Sequence, residues 1–343
     1  MKLQQMLGSE LGTWLSKALP ESRPPWSCER IAGGYSMLTY RLTDTAGQCW
    51  VLRFPPAGNS SGRAHDTDRE ARMMNALHNS AVPVPTVRIV GTAEDPLGVP
   101  CHVTDFVPGH VLGDADSAAR CLSPEAIRDA SVNIVTALVE LHAVDPDEVG
   151  LADFAPRANY LERQLRRWQS VLDAAAAPEV ASLAADLTDI AEWLEAGIPS
   201  EAAPRIVHGD YRLGNAIVDD NGGIRALLDW ELTTLGDPLA DLGLLAAFWA
   251  PPPRAMLGVR MPTTAPGAIG VDEALELYAK KTGSDVDDFA FYRVFSAWRL
   301  ACTAFRARAR YASGAMDDSA DTARFVDACT AWIEIAHQAM NAR

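Results

Sequence analysis

Hydrophobic positions change their period partway along this chain. Over the first hundred residues they come in short runs, at Tyr40 and Leu42, Trp50-Val51-Leu52-Arg53-Phe54, Val87 to Val90 and Val99 to Phe106. Asp44, Gly47, the Pro55-Pro56 pair and Pro108-Gly109 break them up. Such runs predict strands joined by turns. One helix is expected among them, from Glu70 to Leu77, where Met73, Met74 and Leu77 recur at helical spacing. The polar, Gly- and Ser-bearing residues 55–69 before it read as a mobile connection.

From Ser123 onward the spacing becomes three and four. Ser123-Pro124 combines a capping hydroxyl with proline in the first turn, and Ile127, Ala130, Ile134, Leu138 and Leu141 then mark one buried face. Tyr160, Leu161, Leu165, Trp168 and Leu172 repeat the pattern, as do segments around 180–196, 272–281, 288–312 and 320–340. Between the helices, Ile217-Val218 and Ile224 to Leu228 flank Asp219-Asp220-Asn221-Gly222-Gly223, a hairpin signal. The chain therefore reads as α+β in two parts: 1–107, mostly strand with one helix, and 108–343, mostly helix. Residues 250–270 hold too much proline and glycine for a regular helix and predict a long surface loop, a candidate lid.

Composition narrows the partners. With 48% hydrophobic and 22% charged residues, the 343-residue chain can bury a sizeable core without metal or disulfide staples. Its net charge of −15 repels phosphate backbones and anionic membranes, so neither nucleic acid nor membrane is an expected partner. Six cysteines without a C-x-x-C pair indicate buried thiols in a reducing compartment. The amphipathic start lacks a continuous apolar signal core, and the longest apolar stretch, Leu242 to Ala250, is far short of a membrane span. A soluble, cytoplasmic protein is expected.

The candidate chemistry lies in Ile206-Val-His-Gly-Asp-Tyr-Arg-Leu-Gly-Asn215, followed by Ala226-Leu-Leu-Asp229-Trp-Glu231. An apolar strand end delivers His208 and Asp210, Asn215 follows five residues later, and the hairpin returns Asp229. Phosphoryl transfer uses such a set. One carboxylate orients and deprotonates a hydroxyl, while a carboxylate and an amide oxygen hold Mg²⁺ against nucleotide phosphates, since that ion prefers hard oxygen ligands. An H-x-D pair alone is as easily a polar turn; the added Asn215, Asp229 and hairpin make it a kinase-type catalytic loop, with Gly209 where such loops carry arginine.

At these residues the sequence resembles the aminoglycoside phosphotransferase-like family, small-molecule kinases of bilobal protein-kinase-like fold. HGDYRLGN, LLDWE and GDPLADLG resemble in particular the branch associated with acyl-CoA dehydrogenases. The resemblance implies Asp210 as catalytic base, Asn215 and Asp229 as Mg²⁺ ligands, His208 as a structural support, and Asp237 and Asp241 as ties for the catalytic loop and the next helix. It further implies that Gly33, Gly34 and Ser36 form a loop over the phosphates of ATP or GTP. Arg53 stands where the family carries its phosphate-binding Lys, a departure that keeps the charge and adds bidentate reach, and Glu70 is its ion-pair partner. Backbone groups of Asp105 and Val107 would meet the adenine edge, with Thr104 behind them.

The acceptor is expected to be a small-molecule hydroxyl held by the large lobe. Candidate walls are the helix with Tyr160, Arg163, Gln164, Arg167 and Trp168, the loop 250–270, and the helix with Tyr292, Trp298, Arg299 and Arg306. An aminoglycoside-like antibiotic would call for acids around the cleft, a hydroxyacyl-CoA for the Arg-rich helices. A catalytically silent, nucleotide-binding pseudokinase is the alternative; a metal-dependent hydrolase using His208, Asp210 and Asp229 finds no second ligand-spaced histidine pair among the seven.

Overall fold

The computed structural model describes residues 2–31, 37–56, 66–175, 177–200, 203–285, 289–313 and 322–342. Two short helices, α1 (Lys2–Leu7) and α2 (Glu10–Ala18), precede a sheet of β1 (Ser27–Arg30), β2 (Leu38–Thr43), β3 (Cys49–Phe54), β4 (Val87–Gly91) and β5 (Cys101–Asp105). The strands run antiparallel in the order β1-β2-β3-β5-β4, with α3 (Thr67–Leu77) inserted between β3 and β4. Alternation along the strands decides the two faces. Leu42, Trp50, Leu52, Cys101 and Val103 join Leu3, Leu7, Leu11, Leu15 and Leu19 in one core, so the amphipathic start of the chain becomes the cover of this sheet. The opposite face carries Val51, Arg53, His102 and Thr104 into the interlobe cleft.

The single helix expected in this lobe is present, and α1 and α2 are additional. Its start lies earlier than the periodicity places it: Asp66 caps it by accepting a hydrogen bond from Arg69 N at 3.0 Å, so the helix takes in 67–69, which by composition belong to the connection. Residues 57–65 of that connection lie outside the described residues.

Past Asp105 the chain enters the large lobe. Short strand β6 (His110–Val111) pairs with the later hairpin, and α4 (Ala115–Cys121) comes next, closed by a capping box between Asp114 and Ser117. Then come α5 (Pro124–Ala143), α6 (Tyr160–Ala175), α7 (Ala181–Ala196), β7 (Arg205–Val207), β8 (Ala216–Val218), β9 (Ile224–Leu227), β10 (Thr234–Gly236), α8 (Leu239–Trp249), α9 (Val271–Thr282), α10 (Ala290–Ala312) and α11 (Ala323–Asn341). Ser123 caps α5 as its hydroxyl accepts from Ala126 N, with Pro124 in the first turn. Strands β8 and β9 form the expected hairpin, held by Asp219 Oδ1 accepting from Asn221 N and Gly223 N. Met73, Met74 and Leu77 of α3 bury into the same core as Trp230, Leu138 and Trp298, which ties the inserted helix to the large lobe.

Residues 250–270 differ from the expected open loop. They form two short 3₁₀ turns, and Ala255, Met261, Thr263 and Ile269 are buried. Trp332 Nε1 donates to Ala255 O and Trp249 Nε1 to Ile269 O, both at 2.9 Å, while Thr263 Oγ1 donates to Trp249 O. Indole anchors at both ends fix the segment as a wall of the large lobe. Among the described residues no helix is long and apolar enough to cross a membrane.

Candidate active site

Strand β7 ends just before His208, and Asp241 in the first turn of α8 holds the loop that begins there. Fully buried, its carboxylate accepts from His208 N at 2.5 Å and Gly209 N at 2.9 Å. Burial alone would raise this carboxyl's pKa, yet His142, His208 and the backbone donors outweigh it and hold it below the ordinary value. Gly209 has φ +86°, and a Cβ there would meet Leu232 O at 2.7 Å, so glycine is required where kinase loops carry arginine. The Gly209 carbonyl accepts from Arg299 Nη2 at 2.6 Å. His208 Nδ1 accepts from Asp210 N at 3.2 Å, so Nε2 bears the proton that faces Leu228 O at 2.9 Å. His208 is thereby a strut between the loop and β9, as expected, and Asp237 turns to the helix instead, accepting from Leu239 N and from Tyr292 Oη.

Asp210 and Asn215 meet directly. Asn215 Nδ2 donates to Asp210 Oδ2 at 2.7 Å and to Asp210 O at 2.8 Å, which turns the amide oxygen the other way. Arg212 Nε lies 3.6 Å from the same Oδ2. Leu228 N donates to Asn215 O at 2.8 Å, so Asp229 comes immediately after a residue bonded to both His208 and Asn215. Asp229 adopts the left-handed region at φ +68°, ψ 59°, a conformation that Asp tolerates better than most side chains and that re-aims its carboxylate out of the strand.

That carboxylate receives Arg53 Nη2 at 2.6 Å. Arg53 reaches across from β3 and also lies 3.4 Å from Glu70 Oε2 and 3.9 Å from Glu231 Oε2. Three carboxylates thus surround one guanidinium. Burial pulls the arginine down, but Glu70, Asp229 and Glu231 outweigh it and keep it above its usual range. Glu70, only 2% exposed, is pushed up to about 7 by burial first and by the other two acids, against the pull of Arg53. His102, on the neighbouring strand, is drawn down to about 4 by burial and then by Arg53. Arg69 locks α3 in place with hydrogen bonds to Phe154 O and Thr233 O, its guanidinium 3.6 Å from the Phe154 ring centroid.

Two cavities flank this group. One, of about 350 Å³, lies between the lobes, lined by Val51, Arg53, Glu70, Thr104, Asp105, Val107, Asn215 and Asp229. Asp105 N donates to Thr86 O, and its carboxylate pairs with Arg88. Gly33, Gly34 and Ser36 lie outside the described residues. The other cavity, about 640 Å³, opens beside Asp210. Five arginines (167, 212, 299, 306 and 310) line it against two carboxylates, Asp210 and Glu231. Of the expected acceptor-side residues, Tyr160, Gln164, Arg167, Trp168, Arg299 and Arg306 stand on its wall. Arg163, Tyr292 and Trp298 do not: Arg163 bonds Pro156 O, Tyr292 bonds Asp237, and Trp298 is core, bonded to Leu187 O. Ala255, Met256 and Leu257 from the anchored segment complete the wall.

Arg69 and the contact of Arg299 to Gly209 are not legible in the sequence pattern, whereas Arg212 and Glu231 lie inside HGDYRLGN and LLDWE without standing out as site residues. Among the described residues no three His, Cys, Asp or Glu side chains are grouped as a metal site.

Known proteins share this fold and much of this sequence. A candidate aminoglycoside phosphotransferase from Ralstonia eutropha superposes with a TM-score of 0.78 at 29% identity, covering 97% of this chain and 96% of its own. An aminoglycoside phosphotransferase in complex with GDP and kanamycin shares the fold, at a TM-score of 0.62 and 16% identity over 97% and 98% of the two chains. Acyl-CoA dehydrogenase family member 10 of Mus musculus is 33% identical over 87% of this chain and 27% of its own length, and family member 11 of Rattus norvegicus 28% identical over 92% and 41%. The chain thus spans roughly a quarter to two fifths of these relatives. Residues 27–264 match the phosphotransferase enzyme family, to which the chain belongs.

Proposed function

We propose that Asp210 is the base that orients and deprotonates the acceptor hydroxyl, and that Asn215 and Asp229 hold Mg²⁺ against the phosphates of ATP. The observation that supports this reading is the hydrogen-bonded unit Asp210–Asn215–Leu228, with Asp210 on the wall of one cavity and Asn215 and Asp229 on the wall of the other. Asn215 suits the ion because both its N–H groups are spent on Asp210, leaving Oδ1 as a ligand. When bound, Mg²⁺ would neutralise charge developing on the transferred phosphoryl group. Arg53 supplies a second, fixed positive charge, with Glu70 and Glu231 setting its position. The Asp105 carbonyl and Val107 N–H receive the adenine edge.

The acceptor is a hydroxyl compound bearing negative charge, of the hydroxyacyl-CoA class. Five arginines on the acceptor wall support this over an aminoglycoside-like polycation, which would meet repulsion there. The names of the acyl-CoA dehydrogenase relatives point the same way. A panel of hydroxyacyl-CoAs and aminoglycosides, assayed for ADP release, tests it. Asp210→Asn is expected to cut turnover by about 10²–10⁴-fold, the usual worth of a positioned base, with ATP binding unchanged. Wild-type turnover in that variant would remove Asp210 from its role. Metal-independent ATP binding with no acceptor turned over would favour the silent scaffold.

A further inference from the structure

Along α10, Arg299, Thr303, Arg306 and Arg310 face the acceptor cavity at spacings of three and four, one helical stripe. Arg299 is engaged by the catalytic-loop carbonyl. Arg306 and Arg310 are different: exposed at the outer end of the cavity, neither has a carboxylate within ion-pair distance among the described residues. Arg308, on another face of the same helix, lies 3.7 Å from Glu179. Across the cavity, α6 presents Arg167 and Trp168. The guanidinium carbons of Arg306 and Arg167 stand 5.9 and 6.0 Å from the Trp168 ring centroid. Trp168 is only 8% exposed, and among the described residues its buried Nε1–H has no hydrogen-bond acceptor. A chain of net charge −15 thus places Arg306 and Arg167 beside an unsatisfied donor, with Arg310 on the wall of the same cavity. Like charges at four-residue spacing repel, and a buried N–H without a partner is unfavourable, so both observations call for an anion.

We propose that this outer end, formed by Arg306, Arg310, Arg167 and Trp168, is a binding subsite for a phosphate or pyrophosphate group carried by the acceptor. The proposal rests on the phosphotransferase reading of the inner end and adds a length to it. Seven and eleven residues separate Arg306 and Arg310 from Arg299, so the subsite lies about 10–16 Å along the helix from the catalytic loop, at 1.5 Å per residue. Leu244, Phe248, Leu300 and Trp332 line the cavity between. The acceptor it suits is elongated: a hydroxyl at Asp210, an apolar middle and a phosphorylated far end. Guanidinium forks recognise such groups bidentately, and the indole N–H supplies one further donor.

The test is a binding measurement that needs no chemistry. With the nucleotide cleft saturated by Mg²⁺ and a non-hydrolysable ATP analogue, coenzyme A and pantetheine are titrated into the full chain by calorimetry. Coenzyme A is expected to bind, more weakly as salt is raised, and pantetheine, which lacks the phosphates, is expected not to. The Arg306→Gln/Arg310→Gln double variant should weaken coenzyme A by about tenfold or more, the worth of one or two charge-assisted hydrogen bonds, and leave the ATP analogue unchanged. Should the double variant lose the analogue as well, Arg310→Gln alone, in the exposed last turn of α10, and Trp168→Phe, which removes the N–H together with part of the ring, decide; each should weaken coenzyme A severalfold. Equal binding of coenzyme A and pantetheine, or of coenzyme A by wild type and these variants, overturns the subsite. Failure of the base assignment would show separately, as turnover surviving in Asp210→Asn, which should still bind coenzyme A.

Discussion

Asp241→Asn isolates the clamp on the catalytic loop. In the wild-type protein one buried carboxylate satisfies two consecutive backbone donors, His208 N and Gly209 N, just ahead of Asp210. An amide offers one acceptor oxygen, and its NH₂ group must face the second N–H. The change removes one charge-assisted hydrogen bond and strands a buried donor, together about 3 kcal/mol. That is a large share of the roughly 5–15 kcal/mol that holds a domain together, but it leaves the protein folded. The stranded N–H pushes the loop away from α8, and a shift of about 1 Å at a reacting group costs on the order of 10²-fold in rate. Urea unfolding measures the first effect, and steady-state phosphotransfer at saturating ATP the second. Asp237→Asn is the control: equally buried on the same segment, it bonds Leu239 N and Tyr292 rather than the loop, and should lose stability with little loss of kcat. Equal kcat for Asp241→Asn and Asp237→Asn, or an unchanged unfolding midpoint for Asp241→Asn, would refute the clamp.

Two further predictions concern the cluster and the loop. Glu70 has its carboxyl raised from 4.5 to about 7, so the folded protein holds this proton more tightly than the unfolded chain. Stability gained from the neutral form is present below the unfolded value and lost as pH rises through 7; against Glu70→Gln, the wild type should lose about 2 kcal/mol between about pH 5.5 and 8. Parallel stability curves for the two proteins across that range would contradict the burial argument. Gly209→Ala forces a Cβ against Leu232 O at positive φ, whereas Gly47, at φ +82°, has nothing within 4 Å. Alanine should cost about 1 kcal/mol at Gly47 and clearly more at Gly209, with activity lost only at Gly209; equal costs in denaturant titrations would remove the steric account.

Local pattern carries far because local physics makes it. Ser123-Pro124 caps its helix, the Asp219–Gly223 turn closes its hairpin, and the apolar run before His208 becomes a strand delivering the loop. Where the pattern falls short, a distant partner is responsible. Residues 250–270 have loop composition, but Trp249 and Trp332 take their carbonyls and bury them. The helix α3 begins at Asp66 because a cap, not an apolar residue, starts it. The leucines of α1 and α2 show an amphipathic face without naming the sheet it covers.

For the site, the chain order alone determined which residue types stand together: Asp210 and Asn215 are five apart on one short loop, and the hairpin must bring Asp229 back. A spacing of that kind is read off without coordinates because the backbone has few ways to span it. What only the tertiary structure decided is charge balance. Arg53 sits among three carboxylates 17, 176 and 178 residues away in sequence, and five arginines gather on one cavity wall of a strongly acidic protein. Electrostatic environment depends on distance and burial through space, and no one-dimensional pattern encodes either.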